Sequence, residues 1–314
     1  MKTKRKNKSP AAKARTKTEL KTTPRKVGTN LHAQLSDLVA SGGLRLVDLT
    51  QTLSPDFPPI VLPPEMGQSR PFRMETISRY DEGGPGWYWN NLSFGEHTGT
   101  HFDAPIHWVS GRHLPDNSTD TIPVQSFIAP ACVLDCTHES AANADFLLTV
   151  DFLKNWERQH GRIPAGSWVL MRTDWSKRTD PVDYQNIDET GQHTPGPDSD
   201  AVQFLVDQRQ VLGFGSEAIG TDAGQAFHLK PPYPCHYFMH GSGRLGLQCL
   251  ANLDLLPPTG AVIIAAPLKI KEGSGSPLRV LALVPETSSA PAKARKRNRA
   301  ATKRRMVRSK KKRR

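Results

Sequence analysis

Residues Gly95–Trp108 read GEHTGTHFDAPIHW, and this stretch holds His97, His101, Asp103 and His107. With 11 histidines in 314 residues, an eleven-residue window holds about 0.4 by chance; residues 97–107 hold three and a carboxylate. Imidazole and carboxylate together are the ligand set of Zn, Mn, Fe and similar divalent ions. His97 and His101 are four apart, which on a helix would share one face. The intervening TGT opposes a helix, because Thr is β-branched and Gly is flexible. The expectation is a turn at Gly99 that folds both imidazoles to one point. An extended segment then puts Asp103 on the same side as His101. Pro105 stiffens the exit. His107 comes back to the same side, where it can face the metal site without being a ligand, a reasonable place for a general acid/base.

Outward from this stretch, short apolar runs alternate with Pro- and Gly-rich loops. Strands are expected at Leu44–Leu49, Phe72–Ser78, Trp87–Phe94, Ala131–Leu134, Ser167–Arg172, Val211–Thr221, Ala261–Ile270 and Leu278–Val284. Helical periodicity covers Val150–His160 and Ser199–Gln210. Strands outnumber helices, so a mixed α/β body is expected rather than a bundle or a sandwich. Trp87 and Trp89 share one face of the GWYWNN strand, with Tyr88 opposite. They read either as an aromatic wall for a planar substrate or as ordinary core.

The charge is unevenly placed. Residues 1–26 carry eleven Lys/Arg and one acid, and residues 287–314 carry fourteen Lys/Arg and none, so the net +12 of the chain leaves −12 on residues 27–286. The ends have almost no large apolar side chains and are expected to be disordered basic tails. Their electrostatics allow sequence-independent contact with nucleic acid or another polyanion. No aromatic residue interleaves with those cations, so base stacking is not expected. No run of about 18 apolar residues exists, so no membrane span is expected. The Lys-rich start is unlike a secretory signal, and a cytoplasmic protein is expected. The four cysteines form no CxxC pair and read as buried thiols.

The segment HTGTHFDAPIH resembles the HxGTHxDxPxH signature of the cyclase family of metal-dependent amide hydrolases, which includes isatin hydrolases and bacterial kynurenine formamidases. GTDA at 220–223 resembles the family's glycine–aspartate loop. His236 and Gln248 stand twelve apart, as in its second metal segment. NLDLL at 252–256, APLKI at 266–270 and GSPLRVLAL at 275–283 are similar to its C-terminal end. No GxSxG elbow is present, which disfavours a serine hydrolase.

The resemblance implies a swivelling β/β/α single domain over residues 27–286, usually a homodimer or homotetramer. It implies a site of His97, His101, Asp103 and Gln248 holding one Mn or Zn ion. His107 would be the catalytic acid/base, and His236 a nearby polar group or a ligand of a second metal. Formamidases of the family usually carry Glu where this chain has Gln248, and a neutral amide holds a second dication less well. The implied reaction is opening of a cyclic aryl amide such as isatin. The runner-up is hydrolysis of N-formylkynurenine. A nucleic-acid-associated protein acting through its basic tails is the competing class. Glu217 and Asp222 are expected to support ligand histidines, and His228 and His240 to line the pocket.

Overall fold

The computed structural model of the chain describes residues 31–62 and 67–285. The basic runs 1–26 and 287–314, expected to be disordered, lie outside the described residues.

Strands occur wherever apolar residues alternate or cluster between turn formers. In chain order they are β1 (Leu44–Asp48), β2 (Arg73–Asp81), β3 (Gly84–Ser93), β4 (His101–Asp103), β5 (Ile128–Asp135), β6 (Leu147–Leu148) and β7 (Trp168–Arg172). They continue as β8 (Ile187–Asp188), β9 (Gly191–Gln192), β10 (Gly196–Pro197), β11 (Gly213–Ser216), β12 (Leu245–Gln248), β13 (Ala261–Ile264), β14 (Gly275–Pro277) and β15 (Leu281–Pro285). Nine of them form one sheet in the order β1-β15-β13-β5-β7-β11-β12-β4-β14. Its centre, β5-β7-β11-β12, is parallel, and both flanks are antiparallel.

The period of two along β7 shows how the layers form. Trp168 and Leu170 enter one buried cluster, while Val169 and Met171 enter another. The first cluster takes Val47 from β1 at one end of the sheet and Phe102 and Leu247 from β4 and β12 near the other. Both ends can share one core only if the sheet curls. An antiparallel bridge between Thr50 and Leu250 ties the curled ends together. The second cluster lies beneath the helices. The helices here are α2 (Thr137–Ala142), α3 (Val150–His160), α4 (Pro181–Gln185) and α5 (Ser199–Gln203), the last continuing as a π-helical turn through Phe204–Arg209. The cluster includes Leu153 and Trp156 of α3 and Val202 of α5. This is the mixed α/β body expected from the sequence. Among the described residues, no helix is long and apolar enough to cross a membrane.

Local chemistry sets the boundaries. The α3 helix starts where Thr149 Oγ1 accepts from Phe152 N and ends at Gly161, whose φ is +90°. The strand expected over Val211–Thr221 closes at Ser216, because Ser216 Oγ accepts from Ala218 N and bends the chain. The strand expected over Ala261–Ile270 stops at Ile264, short of Pro267. A helix at Leu31–Ser41, labelled α1, carries no expectation from the sequence. All four cysteines are free and buried.

Candidate metal centre

The centre lies where β4, β12 and β14 run side by side. Gly99 takes φ +64°, the left-handed turn that folds His97 back over His101. Their ring centroids stand 5.2 Å apart. Thr100 fixes this turn by donating to Cys249 O at 2.6 Å and accepting from Gln51 N at 2.9 Å. His101 and Asp103 then occupy β4 and are both buried. Pro105 opens a 3-10 turn through His107, which stacks its ring on His97 at 3.8 Å.

Two glycines make room for the centre, one for the Asp103 carboxylate and one for the His97 ring. Gly246 on β12 and Gly275 on β14 are both register partners of Asp103. A Cβ on Gly246 would stand 2.8 Å from Asp103 Oδ2, and one on Gly275 would stand 2.6 Å from His97 Cε1. Neither crowding is tolerable without displacing a site residue.

Hydrogen bonds assign the histidine tautomers. His101 Nδ1 donates to Gly99 O at 2.7 Å, so its Nε2 carries the lone pair. That Nε2 is buried without a hydrogen-bond partner and faces Asp103 Oδ1 at 3.4 Å. His97 Nε2 lies 2.9 Å from Ser274 Oγ, and Ser274 Oγ donates to Glu96 Oε2 at 2.5 Å. The single hydroxyl proton is thus committed to Glu96. His97 Nδ1 lies 2.8 Å from Asp103 Oδ1, a hydrogen bond in which the carboxylate accepts. Two imidazoles aimed at one buried carboxylate oxygen, one of them through an Nε2 without a hydrogen-bond partner, are ligands that a cation takes with release of the shared proton. The donor set therefore fits a divalent metal.

A further pair of imidazoles stands behind. His236 opens the π-helical turn His236–His240, and Asp222 fixes it. Asp222 Oδ2 accepts from His236 Nδ1 at 2.6 Å, while its two oxygens also accept from Cys235 N and His236 N. His240 Nδ1 bonds Arg244 O at 3.1 Å, leaving a buried Nε2 without a hydrogen-bond partner. Asp103, His236 and His240 bring ligand atoms within 4.8 Å of one another, as do His97, Asp103 and His107. Asp103 belongs to both groups.

The electrostatics keep most of these rings neutral. Burial pushes His101 and His240 down to about 4. It pushes His107 down to about 2, against the pull of Asp103. Burial opposes charge on His236 too, but Asp222 outweighs it and raises its pKa. Burial also disfavours ionised Asp103, yet the surrounding histidines hold its carboxyl well below the usual range. Neutral imidazoles around an ionised carboxylate are the protonation state a metal needs.

The structure thus brings together His97, His101, Asp103, His107, His236 and Gln248. Gln248 is buried; its Nε2 donates to Asp103 Oδ2 at 2.6 Å and its Oε1 accepts from Gly220 N at 2.8 Å. Trp87 and Trp89 are not gathered in. They lie on the β2–β3 hairpin, which pairs with no other strand, and both indoles are about half exposed. The aromatic surface beside the centre comes from Trp108, whose ring stands 5.1 Å from His236 and 5.7 Å from Tyr233. Glu217 supports no histidine; it accepts from Thr173 N and Ser176 Oγ instead. His228 is exposed against Phe227. Glu96, Ser274, Gly246 and Gly275 escaped the sequence reading. Glu96 alone stood inside the histidine-rich stretch, next to His97.

The family model described as "Putative cyclase" matches residues 47–223, which carry the turn, β4 and the Asp222 loop. The chain belongs to the cyclase family. Within that family, the isatin hydrolase of Roseibium aggregatum is 52% identical over 78% of this chain and 94% of its own length. The solved structure of isatin hydrolase A from Labrenzia aggregata, bound to benzyl benzoate, superposes with a TM-score of 0.80 at 60% identity, covering 81% of this chain and 99% of that one. An isatin hydrolase bound to the product analogue thioisatinate also gives a TM-score of 0.80, at 50% identity over 81% of this chain and 98% of that one.

Proposed function

We propose that this cyclase-family chain is a metal-dependent hydrolase that opens the C–N amide bond of isatin or a closely related cyclic aryl amide. The observation that carries the reading is the convergence of His97 Nδ1 and of the unpartnered His101 Nε2 on one oxygen of buried Asp103. The high identity to isatin hydrolases supports the substrate class.

His97, His101 and Asp103 would hold the ion, with Gln248 beside them. A divalent ion there, Mn or Zn, supplies a Lewis acid that acidifies water towards a pKa of about 7 and polarises the amide carbonyl. The protein's own groups do the rest. His107 stands against His97 at the open side of the cluster, and neither of its ring nitrogens is hydrogen-bonded within the protein. Burial keeps it neutral, the form that can accept a proton from the attacking water. It then delivers that proton to the departing ring nitrogen, so that addition of water breaks one C–N bond and yields an acid and an amine. Asp103 stays ionised and orients the water side of the site. Trp108 and Tyr233 offer a flat surface for an aromatic ring. Gln248, being neutral, favours one ion over two, with His236 and Asp222 supporting the far side.

We also read the chain as a homo-oligomer. The β2–β3 hairpin leaves Met74, Tyr80, Trp87, Trp89 and Leu92 exposed, an apolar surface that a second copy would cover. The experiment is isatin opening by purified protein before chelation, after chelation and after return of Mn or Zn, with mass measured by light scattering. Loss and recovery of turnover support the reading. Activity indifferent to chelation would remove the metal from it.

A further inference from the structure

Strand β12 ends at Gln248, and the next residue reverses the chain. Cys249 has φ +53°, the left-handed region that a residue with a Cβ disfavours. Such a turn persists only where the surroundings hold it. Cys249 is buried, and both of its backbone groups are engaged. Its N donates to Ala218 O at 3.1 Å, and its O accepts from Thr100 Oγ1 at 2.6 Å and from Gln51 Nε2 at 3.3 Å. The turn therefore joins the end of β12 to the residue that precedes His101.

Gln51 sits in the middle of this joint. It follows β1 by three residues and lies 198 positions from Cys249 in the sequence. Its N donates to Thr100 Oγ1 at 2.9 Å, and its Nε2 also donates to Tyr184 Oη of α4 at 2.8 Å. Tyr184, itself buried, donates its phenolic proton to Glu217 O at 2.7 Å. That commitment leaves the phenolic oxygen as an acceptor, and Cys249 O can only accept. Both hydrogens of the Gln51 amide are thus used, which fixes the way the amide points. The loop that Tyr184 grips, from Glu217 to Gly220, supplies Ala218 O to Cys249 and Gly220 N to Gln248 Oε1. Gln248 in turn donates to Asp103 Oδ2 at 2.6 Å.

We propose that Gln51 is a positioning residue of the metal centre: through Cys249 and Tyr184 its amide locks Gln248 against Asp103 and holds the carboxylate in place for the ion. Gln51 touches neither Asp103 nor a site histidine with its side chain; it acts on the residues that flank them, Thr100 before His101 and Cys249 after Gln248. Only a neutral donor serves here. A carboxylate at position 51 would face Cys249 O and the Tyr184 oxygen with no proton for either. The inference rests on the reading of this centre as the ion-binding site of a hydrolase.

The test compares the full-length parent with Gln51→Glu, Gln51→Met and Tyr184→Phe, and with Val202→Ala of α5 as a packing variant in the other core cluster. Zinc affinity is measured by competition with a chelator, and the visible absorption of cobalt-loaded protein reports the arrangement of the ligands. Folding is followed by circular dichroism and Tm, and kcat and KM for isatin are taken on the same samples. Both Gln51 variants should bind zinc about 10- to 100-fold more weakly, with shifted cobalt bands. Tyr184→Phe should move both readouts in the same direction by less. Val202→Ala should lower Tm and leave both unchanged. In the Gln51 variants kcat should fall while KM stays within about twofold. Parent-like zinc affinity and cobalt bands in both Gln51 variants would overturn the proposal; should Gln51→Glu not fold, the same result in Gln51→Met and Tyr184→Phe would do so. An equal loss in Val202→Ala would also overturn it, since the effect would then be one of general stability. The zinc and cobalt readouts need no substrate. A parent that binds the ion and opens no isatin would therefore defeat the functional reading, while the variants alone decide the role of Gln51.

Discussion

His101 Nε2 and Asp103 Oδ1 face each other across 3.4 Å with no proton between them, because His101 commits its proton to Gly99 O. Two residues apart on a three-residue strand, they point to the same side of β4. Ser274, engaged by Glu96, holds His97 Nε2 and so aims His97 Nδ1 at the same oxygen, 2.8 Å away. Ligands for a cation are thus set by hydrogen bonds that lie outside the ligand set itself.

His107 stacks on His97 and has no hydrogen bond to Asp103, while its ligand atom lies within 4.8 Å of theirs, so a variant there separates an acid/base role from a ligand role. His107→Ala should retain its metal, measured by elemental analysis, while kcat for isatin falls by about 10²- to 10⁴-fold. A fully active variant would remove His107 from the chemistry.

Ser274 acts through His97. Ser274→Ala leaves Glu96 without its hydroxyl partner and His97 Nε2–H without an acceptor. Metal affinity, measured by competition with a chelator, should fall by about 10- to 100-fold. Ser274→Thr should restore part of it.

Gly246 is a packing requirement of Asp103. Gly246→Ala would push a methyl group to 2.8 Å from Asp103 Oδ2, and Asp103 must move. The variant should fold, by circular dichroism, yet lose most of its bound metal and its turnover. A variant with the metal content of the parent would show that Asp103 has slack here.

The metal-free protein should be acid-sensitive. His101 and His240 have folded pKa values of about 4, below the ordinary 6.5. Between those values the unfolded chain binds protons that the folded chain refuses, so stability is full above about pH 6.5 and falls as the pH drops towards 4. His236 is shifted upward and offsets part of the loss. Thermal unfolding of chelated protein from pH 7 to pH 4 should show Tm declining through this window. A flat profile would contradict the buried neutral imidazoles.

Much of this centre was legible in GEHTGTHFDAPIHW. The turn at Gly99, the extended step from His101 to Asp103 and the return of His107 follow from Gly, β-branched Thr and Pro in that order. The α3 helix was legible for the same local reasons. The parts that escaped are those made by distant pairing. Gly246 and Gly275 are unremarkable in their own segments and gain meaning only as the two neighbours of Asp103 across the sheet. Ser274 meets Glu96 across 178 residues of sequence. Trp87 and Trp89 are close in sequence to the histidines yet stand apart from the centre within one chain, because among the described residues β2 and β3 pair only with each other.

The central claim is that the cage around Asp103 holds an ion that this chain uses to open a cyclic aryl amide. Elemental analysis and isatin turnover on one purified sample test it most directly. The expected result is about one Mn or Zn per chain, with isatin opening that disappears on chelation and returns with the ion. A chain that binds no metal and opens no isatin, even after reconstitution, would contradict it.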